Sequence, residues 1–393
     1  MTSRNRSSYN PRTGIAVHYF LMVFTPLGTT LVVGGCGFLG FNIVQQLLDE
    51  KKCSNIVVLD MNTKNNRLAS ITYHNGDITQ GDQVQTIIDK VRPQVLFHTA
   101  SPPGLARDNR LFERVNINGT RNLIKSAQQV GTVKAFVYTS SSSVIHDHYS
   151  PIADADESMP VLYYPQQPEY YSHTKAVAEE IVLAANRVKG VLTAAIRPAT
   201  IFGIGDHVTI ANMCKNAISG RARNQLGDGR NLMDATYGEN CAYAHILAAE
   251  ALLKASASEP LPADKRVEGE AFFVRNEERY EFWELQRFVA GVIGHPVKKE
   301  EIRAIPRALV LAIAMIISWL YWIFTLGRKE PLLTPRIIRL LTSDRTFDIG
   351  KIKTRLRYRP RVSTEEELRK ASGWYMREVY GKNGGSTKLK KTA

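Results

Sequence analysis

Residues 32–40 read VVGGCGFLG, and the glycines at positions 34, 37 and 40 lie three residues apart. The run Thr30–Val33 before them is rich in β-branched residues, and Phe41–Leu48 after them carries apolar residues at helical spacing. Glycines between a strand and a helix let the backbone approach a pyrophosphate, which then meets the free N–H groups of the helix N-terminus. We therefore predict a dinucleotide-phosphate site, rather than a plain tight turn, formed by Gly34, Gly37, Phe38, Leu39 and Gly40.

Outward from this turn, strand-like and helix-like segments alternate. The pattern predicts strands at 30–33, 55–59, 95–98, 135–139 and 192–196, and helices at 41–48, 84–91, 113–129 and 171–187. Such alternation is typical of the α/β class, with a Rossmann-type doubly wound parallel sheet covered on both faces. The alternation weakens after residue 200, and Gly220–Asp234 is predicted to be a polar surface loop. We therefore divide the chain into an N-terminal extension (1–28), a dinucleotide-binding domain (29–205), a smaller substrate-binding region (206–380) and a basic tail (381–393).

The composition favours a globular chain and argues against several functions. The sequence has 393 residues, of which 44% are hydrophobic, and a formal net charge of +14. The positive charge is scattered and no zinc-finger spacing or RNP-like motif is present, so a nucleic-acid partner is not expected. An anionic membrane surface or an acidic substrate accounts for the charge at least as well. The four cysteines are widely spaced without a Cys-x-x-Cys pair, so neither a disulfide scaffold nor a metal site is predicted.

Two acidic residues follow predicted strands and are candidates for the cofactor site. Asp60 ends the second strand, 20 residues after the last glycine of the turn. A carboxylate there can accept hydrogen bonds from both ribose hydroxyls of NAD and would repel the 2′-phosphate of NADP. NAD is therefore favoured, while Lys64 and Arg67 just downstream leave NADP open. Asp77 and Ile78 follow a third short strand and are expected beside the adenine. Asp60 or Asp77 could instead serve only as a turn residue.

Tyr171 and Lys175 are candidates for acid–base catalysis. They lie four residues apart, which is the same face of a helix. Free tyrosine has a pKa of about 10 and is a poor base at neutral pH, but a nearby ammonium lowers that pKa. Tyr171 could then take a hydroxyl proton while hydride leaves for a nicotinamide ring. The serines of 140–143 close a predicted strand at the ligand-binding edge, where one of them could bind the reacting oxygen or merely cap the loop.

Residues 308–326 break the pattern of a water-soluble chain. They read ALVLAIAMIISWLYWIFTL, 19 residues without a charge, with Arg303 and Arg307 before them and Arg328 and Lys329 after them. A spanning helix needs about 20 apolar residues. The segment is therefore predicted to be a membrane-associated helix that spans or re-enters the bilayer. In-plane attachment and a soluble core helix are the alternatives.

Several motifs together resemble one enzyme family. They occur in the order seen in the extended short-chain dehydrogenases, and they are Gly34–Gly40, His98–Ser101, Asn116–Thr120, the serine run, the Tyr171/Lys175 pair and Arg197–Gly203. Within that superfamily the chain resembles the 3β-hydroxysteroid dehydrogenase family, in particular the decarboxylating sterol-4α-carboxylate 3-dehydrogenases of fungi and animals. The resemblance runs from about Thr30 to Tyr380.

The resemblance assigns roles to individual residues. It implies that Ser141 binds the substrate oxygen, with Ser142 as an alternative because the serine run is longer than is usual in the family. It implies that Tyr171 is the proton donor and acceptor, that Lys175 is its electrostatic partner, and that Asn116 supports the lysine and a proton relay. It also assigns Ala100, Pro198, Thr200 and Ile201, besides Tyr171 and Lys175, to the cofactor site.

The resemblance further implies a reaction. A 3β-hydroxy sterol with a 4α-carboxylate would be oxidised at C3 by NAD(P), and the resulting β-keto acid would lose CO2 as in sterol C4 demethylation. The alternatives are a 3β-hydroxysteroid dehydrogenase/isomerase, a dehydrogenase of triterpenoid acids, a sugar-nucleotide epimerase, and a non-catalytic NAD(P)-binding sensor or scaffold. A homodimer and association with other C4-demethylation enzymes stay open.

Both ends of the chain bear on localisation. Residues 15–27 form a short apolar run, interpreted as a peripheral anchor or an unusual extension, with a signal peptide as the alternative. Lys390 and Lys391 stand fourth and third from the end and resemble a dilysine retrieval signal, the alternative being a basic disordered tail. The expected location is the endoplasmic reticulum membrane, with the catalytic domain facing the cytosol.

Overall fold

The computed structural model describes residues 27–104, 106, 108–326, 331 and 333–381. Most of the N-terminal extension, with the run that begins at residue 15, lies outside the described residues, as do Arg328, Lys329 and the tail with Lys390 and Lys391. The strands are β1 (Thr29–Val33), β2 (Asn55–Asp60), β3 (Thr72–Asn75), β4 (Val95–His98), β5 (Ala135–Thr139), β6 (Ile152–Ala155), β7 (Leu192–Pro198), β8 (Thr200–Phe202), β9 (Asn224–Leu226), β10 (Leu232–Met233), β11 (Ala235–Tyr237), β12 (Glu270–Val274), β13 (Tyr280–Glu281), β14 (Arg303–Ile305) and β15 (Arg345–Phe347). The α-helices are α1 (Phe38–Asp49), α2 (Gly81–Val91), α3 (Asn109–Phe112), α4 (Thr120–Val130), α5 (Tyr170–Ala184), α6 (Thr209–Ile218), α7 (Gly238–Ser256), α8 (Phe282–Val292), α9 (Arg307–Thr325), α10 (Pro335–Thr342), α11 (Gly350–Arg355) and α12 (Thr364–Trp374).

The predicted parallel sheet is confirmed. Seven parallel strands lie in the order β12-β7-β5-β4-β1-β2-β3. Successive side chains of β1 enter opposite layers: Leu31 and Val33 pack with α2 and α4, while Val32 packs with α1 and α7. Both faces are therefore buried, which explains why these strands are continuous apolar runs rather than alternating ones.

The helix predicted at 113–129 is present but irregular. It begins as α3, passes through a π-helical segment at Glu113–Gly119 and continues as α4. Segments with the wider π pattern are rare and are frequent at functional sites. Asn116 lies in the middle of this one.

The prediction of a surface loop at Gly220–Asp234 is wrong. The segment contains β9, which pairs with β14, and β10, which pairs with β13 and β15. Gln225, Asn231 and Asp234 are buried. Strands of two or three residues are too short to show an alternating pattern, and their partners come from distant parts of the sequence. The glycines and polar residues of 220–234 therefore led to the prediction of a loop.

The predicted division at residue 205 does not coincide with the edge of the sheet. After the short elements that follow β7, the chain returns as α7, which packs on α1 and β5, and as β12, which pairs with β7 and completes the sheet. The region predicted to bind substrate is therefore interrupted by α7 and β12, which belong to the layers of the large sheet.

The apolar segment at 308–326 forms α9. By length and composition it is the one helix of the described residues that could cross a membrane, with a mean hydropathy of 2.2. Val310 and Ala314 pack against Ile338 of α10, whereas Trp319 is 64% exposed and Phe324 is 81% exposed. That exposure contradicts the soluble-core alternative.

Candidate active site

The glycine turn between β1 and α1 is shaped for close backbone approach. Gly34 has φ +83, and a Cβ there would lie 2.7 Å from the Ala100 nitrogen. A Cβ on Gly40 would lie 2.1 Å from the Gly34 oxygen. Gly37 precedes α1 as an exposed N-cap without a side-chain cap, so the N–H groups of the first helical turn, at Phe38 and Leu39, stay open to an anion.

Asp60 stands beside this turn, as the sequence predicted. Its Oδ2 accepts a hydrogen bond from the Cys36 N–H at 3.0 Å, and its Oδ1 accepts one from the Asn62 N–H at 2.9 Å. Arg67 lies over the Tyr73 ring, with its guanidinium carbon 4.5 Å from the ring centroid. The carboxylate therefore keeps lone pairs for ribose hydroxyls, and the turn and Asp60 together fit NAD.

Asp77 and Ile78 occupy different environments. Asp77 accepts a hydrogen bond from the Thr79 N–H at 2.9 Å, in an Asx turn before α2. Ile78 is buried, and a Cβ on Gly119 would lie 2.6 Å from its Cδ1. Asp77 is thus a half-buried polar residue at the sheet edge, whereas Ile78 packs into the layer beneath it.

Lys175 is oriented toward the end of β5. It is 3% exposed; its Nζ donates a hydrogen bond to the Thr139 carbonyl and lies 4.4 Å from the Tyr138 ring centroid. Burial lowers the pKa of Lys175 to about 7, against the opposing effect of Glu179. The amine and its hydrogen-bond acceptor therefore form a fixed unit at the carboxyl edge of the sheet.

Tyr171 is the second residue of α5, the helix that also carries Lys175, and its pKa differs from the expectation. Its ring meets Phe112 edge-on at a centroid distance of 5.6 Å, and burial raises its pKa to about 12. The four-residue spacing predicted a lowered pKa instead. The physical reason is that burial dominates while Lys175 is engaged with Thr139.

The serine run and α5 share a hydroxyl network. Ser141 Oγ lies 2.8 Å from Ser143 Oγ, and Ser172 Oγ donates to Ser143 Oγ at 2.8 Å. Ser142 opens a short 3-10 helix for which Ser141 is the N-cap. The sequence had placed Ser143 among the candidate serines of 140–143 but gave Ser172 no role. The signal for Ser172 was its position next to Tyr171 on a face turned toward the run.

Asn116 contacts α5 at Thr174, the residue before Lys175. Its Nδ2 donates to Thr174 Oγ1 at 3.0 Å, and its carbonyl accepts from Thr120 Oγ1 at 2.5 Å. Its Oδ1 is buried without a hydrogen-bond partner among the described residues. The structure therefore joins Asn116 to Thr174, the residue before Lys175, and leaves the Asn116 Oδ1 as a buried acceptor.

Three more residues predicted for the cofactor site lie at the end of β7 and in β8, while Ala100 lies against Gly34 of the glycine turn. Pro198 ends β7, and Thr200 and Ile201 continue in β8, which pairs with β11. Beneath them Arg197 forms a buried ion pair with Glu179 of α5 at 2.5 Å. This pair ties the catalytic helix to the sheet and was not predicted from the sequence.

The chain is similar in sequence to known sterol and steroid dehydrogenases. The 3-beta hydroxysteroid dehydrogenase/isomerase family matches residues 31–304. The chain is 34% identical over 357 residues to sterol-4-alpha-carboxylate 3-dehydrogenase, decarboxylating, of Saccharomyces cerevisiae, covering 88% of this chain and 98% of that protein. It is 31% identical over 379 residues to 3 beta-hydroxysteroid dehydrogenase/Delta 5-->4-isomerase of Mycobacterium tuberculosis, covering 94% and 96% respectively. The UDP-glucose 4-epimerase structure of Thermus thermophilus superposes with a TM-score of 0.65 at 20% identity, over 89% of this chain and 99% of that one. The resemblance drawn from the motifs is confirmed, and the structural match supports the fold.

Proposed function

The chain belongs to the 3-beta hydroxysteroid dehydrogenase/isomerase family, and on that premise we propose that it oxidises the 3β-hydroxyl of a 4α-carboxysterol to a ketone with loss of CO2. The observation that carries the proposal is the similarity, over nearly the whole of both chains, to a decarboxylating sterol dehydrogenase. The Tyr171, Lys175 and Ser141 group at the carboxyl edge of the sheet supports it chemically.

NAD fits the described residues. Its pyrophosphate would meet the open N-terminus of α1, its ribose hydroxyls Asp60, and its nicotinamide end the segment from Pro198 to Ile201. When bound, NAD supplies the acceptor for the hydride that leaves C3. Because Asp60 carries a negative charge beside the ribose, NAD is favoured over NADP.

The residues of this chain would handle the proton. Ser141, held by Ser143, donates a hydrogen bond to the reacting oxygen, and Tyr171 takes the hydroxyl proton. Lys175, one helical turn from Tyr171, supplies the positive charge that favours phenolate. The oxidation leaves a ketone next to the carboxylate-bearing carbon, so the electrons of the departing CO2 pass into that ketone and no second cofactor is needed.

A coupled assay with a neighbouring tyrosine as control tests the proposal. Detergent-solubilised enzyme is given NAD and a 4α-carboxysterol, and NADH absorbance and the decarboxylated 3-ketone are measured together. Tyr171→Phe should abolish both, whereas Tyr170→Phe, whose hydroxyl bonds to Glu113 instead, should keep them.

Three outcomes would contradict the proposal. NADH formation only with non-carboxylated 3β-hydroxysteroids would favour the chemistry named for the mycobacterial relative. Turnover only with a triterpenoid acid would move the substrate class. Tight NAD binding without turnover of any of these would favour a non-catalytic sensor.

We also propose that α9 attaches the enzyme to the endoplasmic reticulum membrane from the cytosolic side, where sterol substrates dissolve. The first half of α9 packs on α10 through Val310 and Ala314, so about 11 residues from Met315 onward are available to lipid. At about 1.5 Å per residue they reach roughly 17 Å, about half of a 30 Å hydrocarbon core. Insertion into one leaflet is therefore favoured over a full crossing.

Protease protection in sealed microsomes tests the orientation. A tag after Ala393 should be cleaved without detergent if α9 enters one leaflet, and should be protected if α9 crosses while the catalytic domain stays cytosolic. Replacing Trp319 and Trp322 by Gln should release the protein from vesicles without changing NAD affinity, because both side chains are exposed in this structure.

A further inference from the structure

A chain of buried hydrogen bonds runs from Lys175 across the sheet edge to α7. Lys175 Nζ donates to the Thr139 carbonyl, Thr139 Oγ1 lies 2.8 Å from His245 Nε2, and His245 Nδ1 lies 2.8 Å from the Cys241 carbonyl oxygen. All four residues are buried, and His245 and Cys241 are fully so. The distances and the burial make this a connected polar path inside an otherwise apolar layer.

The direction of each bond follows from the groups involved. A carbonyl oxygen only accepts, so His245 Nδ1 carries the proton that it donates to Cys241. Burial lowers the pKa of His245 to about 4, with the Cys241 hydrogen bond opposing and the charge of Lys175 adding to it, so the ring is neutral. Nε2 is then the acceptor, and the Thr139 hydroxyl must donate to it. The tautomer of His245 therefore fixes the rotamer of Thr139.

Thr139 needs this support because of its place in the sheet. The last pair between β4 and β5 is His98 with Tyr138, so Thr139 has no partner in β4. On the other side it still pairs with Ile196 of β7, where the Ser140 N–H donates to the Ile196 carbonyl at 2.7 Å. The Thr139 carbonyl, which accepts the hydrogen bond from Lys175, thus lies just beyond the end of the pairing between β4 and β5.

We propose that His245 is a positioning residue of this enzyme: by holding the Thr139 hydroxyl it fixes the carbonyl that orients the Lys175 amine. The inference rests on the proposed dehydrogenase function. His245 acts only through Thr139 and has no contact with the reacting atoms. Loss of the bond lets Lys175 shift relative to Tyr171, and displacements of about 1 Å at a catalytic group can cost up to about 100-fold in rate.

Substitutions at Thr139 give the cleanest test, because they leave the carbonyl in place. Thr139→Val replaces the hydroxyl by a methyl group of similar shape and should lower kcat about tenfold or more, with the Kd for NAD changed less than about twofold. Thr139→Ser keeps the donor and should stay near wild type. His245→Leu should match Thr139→Val, and His245→Gln, which offers an acceptor oxygen, should recover part of the loss.

The double variant Thr139→Val/His245→Leu should lose no more than either single variant, because both remove the same bond. Additive losses, or a Thr139→Val enzyme with the wild-type kcat and pH profile, would overturn the proposal. Thermal midpoints and NAD affinity identify any variant that has simply failed to fold.

A second readout does not depend on turnover. The ¹³Cε resonance of Lys175, assigned with Lys175→Met, should titrate at a different pH in Thr139→Val than in wild type and Thr139→Ser. If wild type oxidises no sterol, the proposed function fails and this titration alone decides the role of His245; an unchanged titration in Thr139→Val would refute that role.

Discussion

Replacing Lys175 by Met should stabilise the cofactor-free protein while abolishing its activity. The folded chain keeps the amine 3% exposed, and its pKa is lowered to about 7 from the ordinary 10.5. At pH 7 the unfolded chain therefore holds a proton that the folded chain has half lost. From these two pKa values the folding penalty is about 4 kcal/mol at pH 7 and about 2 kcal/mol at pH 9.

The sign follows from proton binding. Between pH 7 and 10.5 the unfolded state binds more protons than the native state at this site, so the stability of wild type rises with pH, by at most about 1.4 kcal/mol per unit and by about 1 kcal/mol per unit on average from pH 7 to pH 9. Lys175→Met lacks this dependence. The variant also leaves the Thr139 carbonyl without its donor. This loss reduces the stabilisation by on the order of 1 kcal/mol or more at every pH. The difference in unfolding free energy between the variant and wild type should therefore shrink by about 2 kcal/mol from pH 7 to pH 9.

Urea unfolding at several pH values measures this difference in one detergent and without NAD. The matched control is Lys125→Met, which removes an exposed lysine from α4. A difference for Lys175→Met that stays constant from pH 7 to 10 would refute the reasoning, because it would mean that the amine is as well solvated in the folded chain as in the unfolded one.

Four further substitutions separate the cofactor turn from the scaffold. Gly40→Ala should weaken NAD binding and lower the free energy of unfolding, since its Cβ would overlap backbone. Gly291→Ala, in a helix with open space around it, should instead raise the free energy of unfolding by about 1 kcal/mol through helix propensity. Asp60→Ser should raise the Kd for NAD and lower that for NADP, as measured by fluorescence titration; equal changes for both would contradict the ribose assignment. Glu179→Gln should destabilise the chain by about 3 kcal/mol in urea, because it leaves the buried Arg197 guanidinium without its counter-charge; a loss under 1 kcal/mol would mean that the pair is hydrated.

The sheet could be predicted closely because its signals are local. The central strands of the large sheet, β1, β4, β5 and β7, are mostly apolar and buried. Each flanking helix has a wide apolar face. The strand β12 escaped prediction, although four of its five residues are buried, because it follows long polar connections. The smaller sheets escaped it because their strands hold two to four residues and pair across large sequence separations.

Sequence spacing selected candidate site residues but could not predict the directions of their side chains. Tyr171 and Lys175 share a helical face as predicted, yet Lys175 turns to Thr139, which depends on where β4 ends. The role expected for Asn116, support of the lysine and a proton relay, stays a prediction; in the structure its Nδ2 donates to Thr174 Oγ1, from within the π segment. His245 gave only the signal of a polar residue on an apolar helix, which is more often a satisfied core histidine.

The irregular features of this fold converge on the proposed catalytic group. The π segment around Asn116 gives up regular helical geometry, the Asn116 Oδ1 is a buried acceptor without a partner among the described residues, and Lys175 is a buried amine without a carboxylate within ion-pair distance in the described chain. Each costs stability that a purely structural helix pair would not lose. Bound NAD and sterol would offer hydrogen-bond acceptors to the Lys175 amine and so remove part of this cost. The thermal midpoint should therefore rise more when both ligands bind than when NAD binds alone. If NAD alone produced the whole increase, the strain would belong to cofactor binding, and the catalytic pair would have to be supported by other groups.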